Sequence, residues 1–210
     1  MLRIAGIISS IAGATMILFS GIKTPTNFRI LSDFIQNLLL INAVLLLFLP
    51  SDREMKVALF IGLFTMGFDF ILEEIAVFLD WWYPLGGTQF PPIIVVPMEM
   101  VASFFIIGTS MGVILYFPEK IREMNYTHIN WLKKLFKSPR HDTFWRVVLL
   151  FINAIIGTNG DYTAGPTIWV PGPTWHPLFT FIVWFGGGLF TLIIWNILNE
   201  KLKNQEGKTT

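Results

Sequence analysis

The sequence predicts an all-α integral membrane protein, a bundle of about six transmembrane helices in a single domain over residues 1–210. Hydrophobic residues make up 53% of the chain and charged residues only 14%, whereas soluble domains carry about 25% charged residues. Apolar runs of about 20 residues, the length that crosses a bilayer, recur between clusters of charge and proline. A water-soluble fold is therefore not expected.

The predicted spans follow these runs in chain order. The first follows Arg3, and we expect a retained helix rather than a signal peptide, because the run is long and has no small-residue cleavage site. The second is polar in its outer half, the third carries acids, the fourth follows Pro91 and Pro92, and the last contains three consecutive glycines. The spans lie near residues 4–21, 31–49, 57–80, 92–117, 144–159 and 177–198.

A basic loop, residues 118–142, separates the fourth and fifth spans. Trp131, Leu135 and Phe136 alternate there with lysines, which is typical of an interfacial amphipathic helix on anionic lipid. A solvated basic loop with some buried aromatic side chains explains the same pattern, and the sequence leaves both interpretations open.

Lysine and arginine indicate the orientation, because they accumulate in cytoplasmic loops. Six spans leave only Lys23 and Arg29 on one side. The other side receives thirteen basic residues: Arg3, Arg53, Lys56, Lys120, Arg122, Lys133, Lys134, Lys137, Arg140, Arg146, Lys201, Lys203 and Lys208. We therefore expect a multi-pass protein of the cell membrane with both termini cytoplasmic and with loops 81–91 and 160–176 on the outer face.

Several function classes lose support from what the sequence lacks. It contains no cysteine, so disulfides and thiolate sites are excluded. It has no Gly-rich phosphate loop, zinc motif or nucleic-acid motif, and its net charge is only +1. We expect no cofactor and no nucleic-acid partner; membrane lipids and a hydrophobic lipid substrate are the expected partners.

Acidic residues within the spans are the main functional signal. Asp69 and Glu73 share one face of the third span, and Glu99, seven residues into the fourth span as predicted, lies at a similar depth. A carboxylate in hydrocarbon is costly, so such groups normally face a bundle interior or a wet cavity and belong to a functional site. We expect these three acids to belong to a functional site, some of them as neutral proton donors near pH 7.

Two outer loops rich in aromatic residues, proline and glycine flank the acids, and both are expected to be extended. They form either an ordinary interfacial aromatic belt or a cover of aromatic faces that stabilises a cation over the acids. His176 with the acids suggests a metal site, but no second histidine lies in a span, and no metal is predicted. The candidate substrate-binding residues are Glu74, Trp81, Trp82, Tyr83, Asn37, Asn153, Trp175 and His176.

Residues 67–105 resemble a known group of proteins. The segments that carry the resemblance are Gly67-Phe68-Asp69-Phe70-Ile71-Leu72-Glu73-Glu74-Ile75-Ala76-Val77, then Trp81-Trp82, then Val96-Pro97-Met98-Glu99-Met100. They are similar to the membrane carotenoid-biosynthesis proteins, both the bacterioruberin-type carotenoid hydratases and the small lycopene cyclases. The resemblance implies acid catalysis on a carotenoid, with Asp69, Glu73 and Glu99 as the catalytic acids.

Three functions remain open from the sequence. The first is an intramembrane enzyme that protonates a terminal double bond of a carotenoid or isoprenoid lipid, followed by cyclisation or hydration. The second is a proton- or cation-coupled transporter that uses the same carboxylates. The third is a non-catalytic, lipid-binding membrane subunit in which the acids serve packing and polar contacts.

Overall fold

Helices make up about 80% of the described residues, so the all-α prediction is confirmed. The computed structural model describes the backbone of residues 2–20, 26–86, 88–90, 93–124 and 130–209, and their side chains except those of 13–20, 26–33, 162–168 and 206–209. The helices in these ranges are α1 (Leu2–Ser20), α2 (Thr26–Phe48), α3 (Asp52–Phe78), α4 (Met98–Ile114), α5 (Phe117–Glu123), α6 (Asn130–Leu135), α7 (Asp142–Ile168) and α8 (Pro177–Thr209). Two short strands in these ranges, β1 (Trp82–Pro84) and β2 (Trp169–Pro171), follow α3 and α7 in the two loops predicted to lie on the outer face, and a 3₁₀ turn at Pro139–His141 precedes α7.

The long helices after α1 form a ring. α2 packs on α4, α4 on α3, α3 on α8, and α8 on α7, which returns to contact α2, while α1 packs against α2. α3 and α4 approach each other closely, because Gly62 and Gly108 face each other there. A Cβ atom at Gly112 would lie only 2.7 Å from the Cα of Ala58. Small residues allow this backbone contact, as in many membrane helix pairs.

Among the described residues, three helices are long and apolar enough to cross a membrane, within Asp52–Phe78, Pro139–Asp161 and Pro177–Gln205. α4 and α5 together make a fourth if their bend of 48° belongs to one span. The first two predicted spans fall partly on residues whose side chains are not described. The described apolar parts there, Leu2–Ala12 and Phe34–Phe48, are shorter.

The fourth helix begins at Met98 rather than near residue 92. Pro97 precedes it in an extended conformation, with φ −60° and ψ 134°. A proline disfavours the helical conformation in the residue before it, so the apolar run from residue 93 does not enter the helix. The Glu74 carboxylate accepts hydrogen bonds from the backbone amides of Val95 and Val96, each at 2.9 Å.

The second outer loop is shorter than predicted, because α7 continues to Ile168. The expectation of an extended segment from residue 160 was wrong for residues 160–168. Pro166 lies close to the end of the helix, where its missing N–H removes a single backbone hydrogen bond. The extended part is β2, which pairs antiparallel with β1, Trp82 opposite Pro171 and Pro84 opposite Trp169.

The predicted basic loop contains two short helices, α5 and α6. Trp131 on α6 is 64% exposed and Leu135 is 46% exposed, beside Lys133 and Lys134, whereas Phe136 is buried. α6, with its exposed apolar and basic side chains, matches the interpretation as an interfacial amphipathic helix. Phe136, which is buried, matches the interpretation as a basic loop with buried aromatic side chains.

Candidate functional site

A cavity of about 150 Å³ lies inside the ring, toward the end that carries β1 and β2. Residues of α3, α4, α7 and α8 and of both outer loops line it. An apolar cluster that includes Ile61, Leu150 and Trp195 fills the ring at the basic end. His176 and Phe179 line the cavity and are exposed, so it opens toward the surface at the end that carries β1 and β2.

Two acids of α3, Asp69 and Glu73, face this cavity. They are four residues apart, so their side chains are neighbours on one helical face. Both residues are half-buried overall because they border the cavity, yet Asp69 Oδ2 and Glu73 Oε2 are fully covered and have no hydrogen-bond partner among the described residues. The side chain of Trp82, on β1, hydrogen-bonds to the Glu73 carboxyl group.

A third acid, Asp161 of α7, completes the group and interacts electrostatically with both Asp69 and Glu73. The indole N–H of Trp184 donates a hydrogen bond of 2.7 Å to Asp161 Oδ2. Sequence reasoning assigned this residue to an outer loop and left it out of the candidate site. The continuation of α7 is what places it in the cavity wall.

Aromatic rings form most of the remaining wall. Five of the eight tryptophans line the cavity: Trp81, Trp82, Trp169, Trp175 and Trp184. The Trp82 and Trp169 ring centroids are 6.1 Å apart, and those of Trp169 and Trp175 are 5.6 Å apart. The paired outer strands therefore hold a connected layer of indole rings over the acids.

Backbone contacts fix this aromatic cover. The amide of Gly172 donates a hydrogen bond of 2.7 Å to the carbonyl of Trp81, and the hydroxyl of Thr174 bonds to the carbonyls of Leu79 and Asp80. A Cβ atom at position 172 would lie 1.8 Å from the Asp80 carbonyl oxygen, so only glycine fits at this crossing. These contacts hold the two loops together, so the aromatic cover is a fixed part of the fold.

The structure separates the predicted site residues into two groups. Asp69, Glu73, Trp81, Trp82, Asn153, Trp175 and His176 line the cavity. Glu99, Glu74, Tyr83 and Asn37 are not among its lining residues. Glu99 lies in the first turn of α4, where the Thr88 amide and hydroxyl donate to its carboxylate at 3.0 and 2.7 Å.

The other residues outside the cavity also have partners or a different location. Glu74 holds the loop before α4, as described above, and Asn37 lies on α2, half-buried. The Tyr83 hydroxyl is exposed and donates to Asp80, and that hydrogen bond raises the pKa of the phenol. None of these contacts directs the side chain to the cavity.

The described part of the cavity lining contains three acidic side chains, those of Asp69, Glu73 and Asp161. No lysine or arginine appears among the described residues that border the cavity, so the lining offers no basic side chain to Asp69 and Glu73. Buried carboxylates without counter-ions are costly, and protonation is the usual relief. The arrangement can deliver a proton to a bound molecule and shelter a positive charge between indole faces.

No family model matches the chain, and neither a curated protein nor a solved structure matches it.

Proposed function

We propose that this protein is an intramembrane enzyme that protonates a terminal carbon–carbon double bond of a carotenoid or related isoprenoid lipid. The observation that carries the proposal is the pair of covered, unpartnered oxygens of Asp69 and Glu73 facing a cavity walled by indole rings. The resemblance of residues 67–105 to membrane carotenoid-biosynthesis proteins supports the choice of substrate.

The size of the cavity suits the end of a long molecule. Binding pockets for whole drug-sized ligands occupy about 300–1,000 Å³, more than the roughly 150 Å³ available here. A carotenoid would insert one terminal unit, and its long chain would extend out of the ring. Such a geometry directs chemistry to the terminal double bond.

The proposed reaction is redox-neutral. The Glu73 carboxyl group gives its proton to one alkene carbon, which leaves a tertiary cation on the other carbon and a carboxylate on Glu73. Attack by a second double bond of the chain followed by loss of a proton to that carboxylate gives a ring. Attack by water with the same proton return gives a tertiary alcohol. Asp69 supplies a second carboxyl group beside the cation.

Expression in a host that accumulates lycopene tests the proposal. Pigment chromatography with mass measurement is expected to show a new product, either of unchanged mass for a ring or heavier by one water for hydration. Glu73→Gln and Asp69→Asn are expected to abolish it, whereas Glu200→Gln, the same kind of change at an exposed position on α8, is expected to retain it. Product formation at the wild-type level in both cavity variants would contradict the assignment.

Glu99→Gln separates the two sets of candidate residues. The geometry leads us to expect that product persists in this variant, because the Glu99 carboxylate bonds to Thr88 outside the cavity. Loss of product with unchanged protein level would favour the catalytic role that the sequence predicted for Glu99. Western blotting of the membrane fraction provides the protein level.

The alternative function, a proton- or cation-coupled transporter, receives less support because it needs a relay of ionisable groups across the whole membrane. The cavity acids lie toward one end, and the described side chains at the other end of the ring form an apolar cluster that includes Val57, Leu115 and Leu192. The proposed topology keeps six spans with both termini cytoplasmic, which leaves the cavity in the outer half of the membrane. Cysteine accessibility labelling at introduced positions in loops 81–90 and 130–141 tests that orientation.

A further inference from the structure

Indole side chains hold two of the three cavity acids. Asp161 Oδ2 receives the Trp184 indole N–H at 2.7 Å, and the Trp82 side chain hydrogen-bonds to the Glu73 carboxyl group. The second Glu73 oxygen, Oε2, and Asp69 Oδ2 have no hydrogen-bond partner among the described residues. Asp161 is therefore an acid that an indole N–H orients in the cavity wall and that the catalytic proposal does not use.

The three carboxyl groups are not arranged as ligands of a compact ion. Among the described residues, no three side chains of histidine, cysteine, aspartate or glutamate converge closely enough to hold a metal ion. The space between the acids is instead bordered by indole rings. A larger cation with apolar substituents fits this combination, because it interacts with a carboxylate and with aromatic faces at once.

We infer that the cavity binds the charged head of a lipophilic organic ammonium ion, with Asp161 as its counter-ion and Trp184 as the residue that positions Asp161. The inference rests on the proposed function, since such an ion has the charge and the branched shape of the tertiary carbocation that protonation would create. It adds a ligand class and a binding residue that the catalytic proposal does not require.

Trp184 orients Asp161 through a hydrogen bond, and the Trp184 ring is itself held by packing against α4. α7 carries Asp161 into the wall, and α8 carries Trp184, whose ring also packs against Phe104 with centroids 6.4 Å apart. The indole is thus held by α4 while it donates to α7. A phenyl ring at position 184 keeps this packing and removes the donor, so it isolates the positioning role from the charge.

The experiment titrates the full chain, purified in nanodiscs of neutral lipid, with octyltrimethylammonium and follows tryptophan emission. 1-Octanol has the same chain length without the charge, and nanodiscs without protein measure partition into lipid. Wild-type protein is expected to bind the ammonium ion at least tenfold more tightly than the alcohol. This comparison needs no variant, so it does not depend on how any substitution folds.

Variants then assign the charge. Asp161→Asn is expected to weaken ammonium binding at least tenfold, and Trp184→Phe about fivefold, while neither changes the affinity for 1-octanol by more than twofold. Glu200→Gln is the matched control and is expected to bind like the wild type. Equal affinity for ammonium and alcohol, or wild-type ammonium binding in Asp161→Asn, would overturn the inference.

The two proposals fail in different ways. Ammonium binding that depends on Asp161, without any new pigment in the lycopene host, supports the cation site and counts against the catalytic function. If pigment conversion depends on Glu73 but ammonium affinity is unchanged in Asp161→Asn, the cation site is overturned and the catalytic function is left in place.

Discussion

Replacement of Gly172 by alanine tests whether the aromatic cover is closed by the fit of two backbones. The added Cβ would lie 1.8 Å from the Asp80 carbonyl oxygen, so the loops must separate by more than about 1 Å to reach an ordinary contact. The Gly172 to Trp81 hydrogen bond, now 2.7 Å, would then exceed the usual limit of about 3.2 Å. The pairing of β1 with β2 is lost at that point.

The cost follows from these two changes. Overpacking of this kind costs about 1–3 kcal/mol, and the lost hydrogen bond adds about 1 kcal/mol. We therefore expect Gly172→Ala to lose about 2–4 kcal/mol of stability in the paired loops while the helices still assemble. Trp82 and Trp169, only 6% and 8% exposed in the closed form, would become accessible to solvent.

Acrylamide quenching of tryptophan emission measures that accessibility, and thermal unfolding in detergent measures the stability. Gly172→Ala is expected to show stronger quenching and a lower midpoint than the wild type. Gly186→Ala is the matched control, because a Cβ atom there meets nothing within 4 Å. Identical quenching and midpoints in Gly172→Ala and the wild type would refute the steric reasoning.

Four further substitutions test the packing of α3 on α4 and the pairing of Arg146 with Glu119. Gly112→Ala is expected to lower the thermal midpoint because its Cβ would lie 2.7 Å from Ala58 Cα, whereas Gly67→Ala, with open space around it, is expected to keep or raise the midpoint; equal midpoints would contradict close α3–α4 packing. Arg146→Met leaves the Glu119 carboxylate without its partner and is expected to cost about 3–5 kcal/mol. Adding Glu119→Gln should recover part of that loss in unfolding experiments, and a simple sum of the two losses would exclude the coupling.

The long helices were predictable because each contains a long apolar run. α3 starts at Asp52, before the span predicted near 57–80, where Ser51 and Glu54 form a capping box, with the Glu54 amide donating to Ser51 and the Ser51 amide donating to Glu54. That pattern is local and visible in the sequence. The all-α class needed no tertiary information.

The site was only partly predictable, because its membership depends on where two helices begin and end. The prolines at 91 and 92 suggested an early start for the fourth helix, which placed Glu99 deep in the span, whereas Pro97 sets the start and leaves Glu99 in the first turn. The glycines and proline after residue 159 suggested a loop, whereas α7 continues and carries Asp161 into the wall. Helical phase alone placed Asp69 and Glu73 together.

Buried charges at the opposite end of the ring sharpen the interpretation of the cavity acids. There the buried acids Glu54 and Asp142 are paired: Lys120 lies 2.7 Å from Glu54, and Arg122 binds Asp142 through two hydrogen bonds of 2.7 Å. These pairs relieve the cost of burying charge at the helix ends.

The cavity end departs from that pattern within the same fold. Its acids border a space without lysine or arginine among the described lining residues, although the chain carries fifteen basic residues. Acids that served packing alone would be stabilised by the same pairing that Glu54 and Asp142 receive. Leaving Asp69 and Glu73 without a cation costs stability. The ligand that we propose, which accepts a proton or carries positive charge, would compensate for that cost.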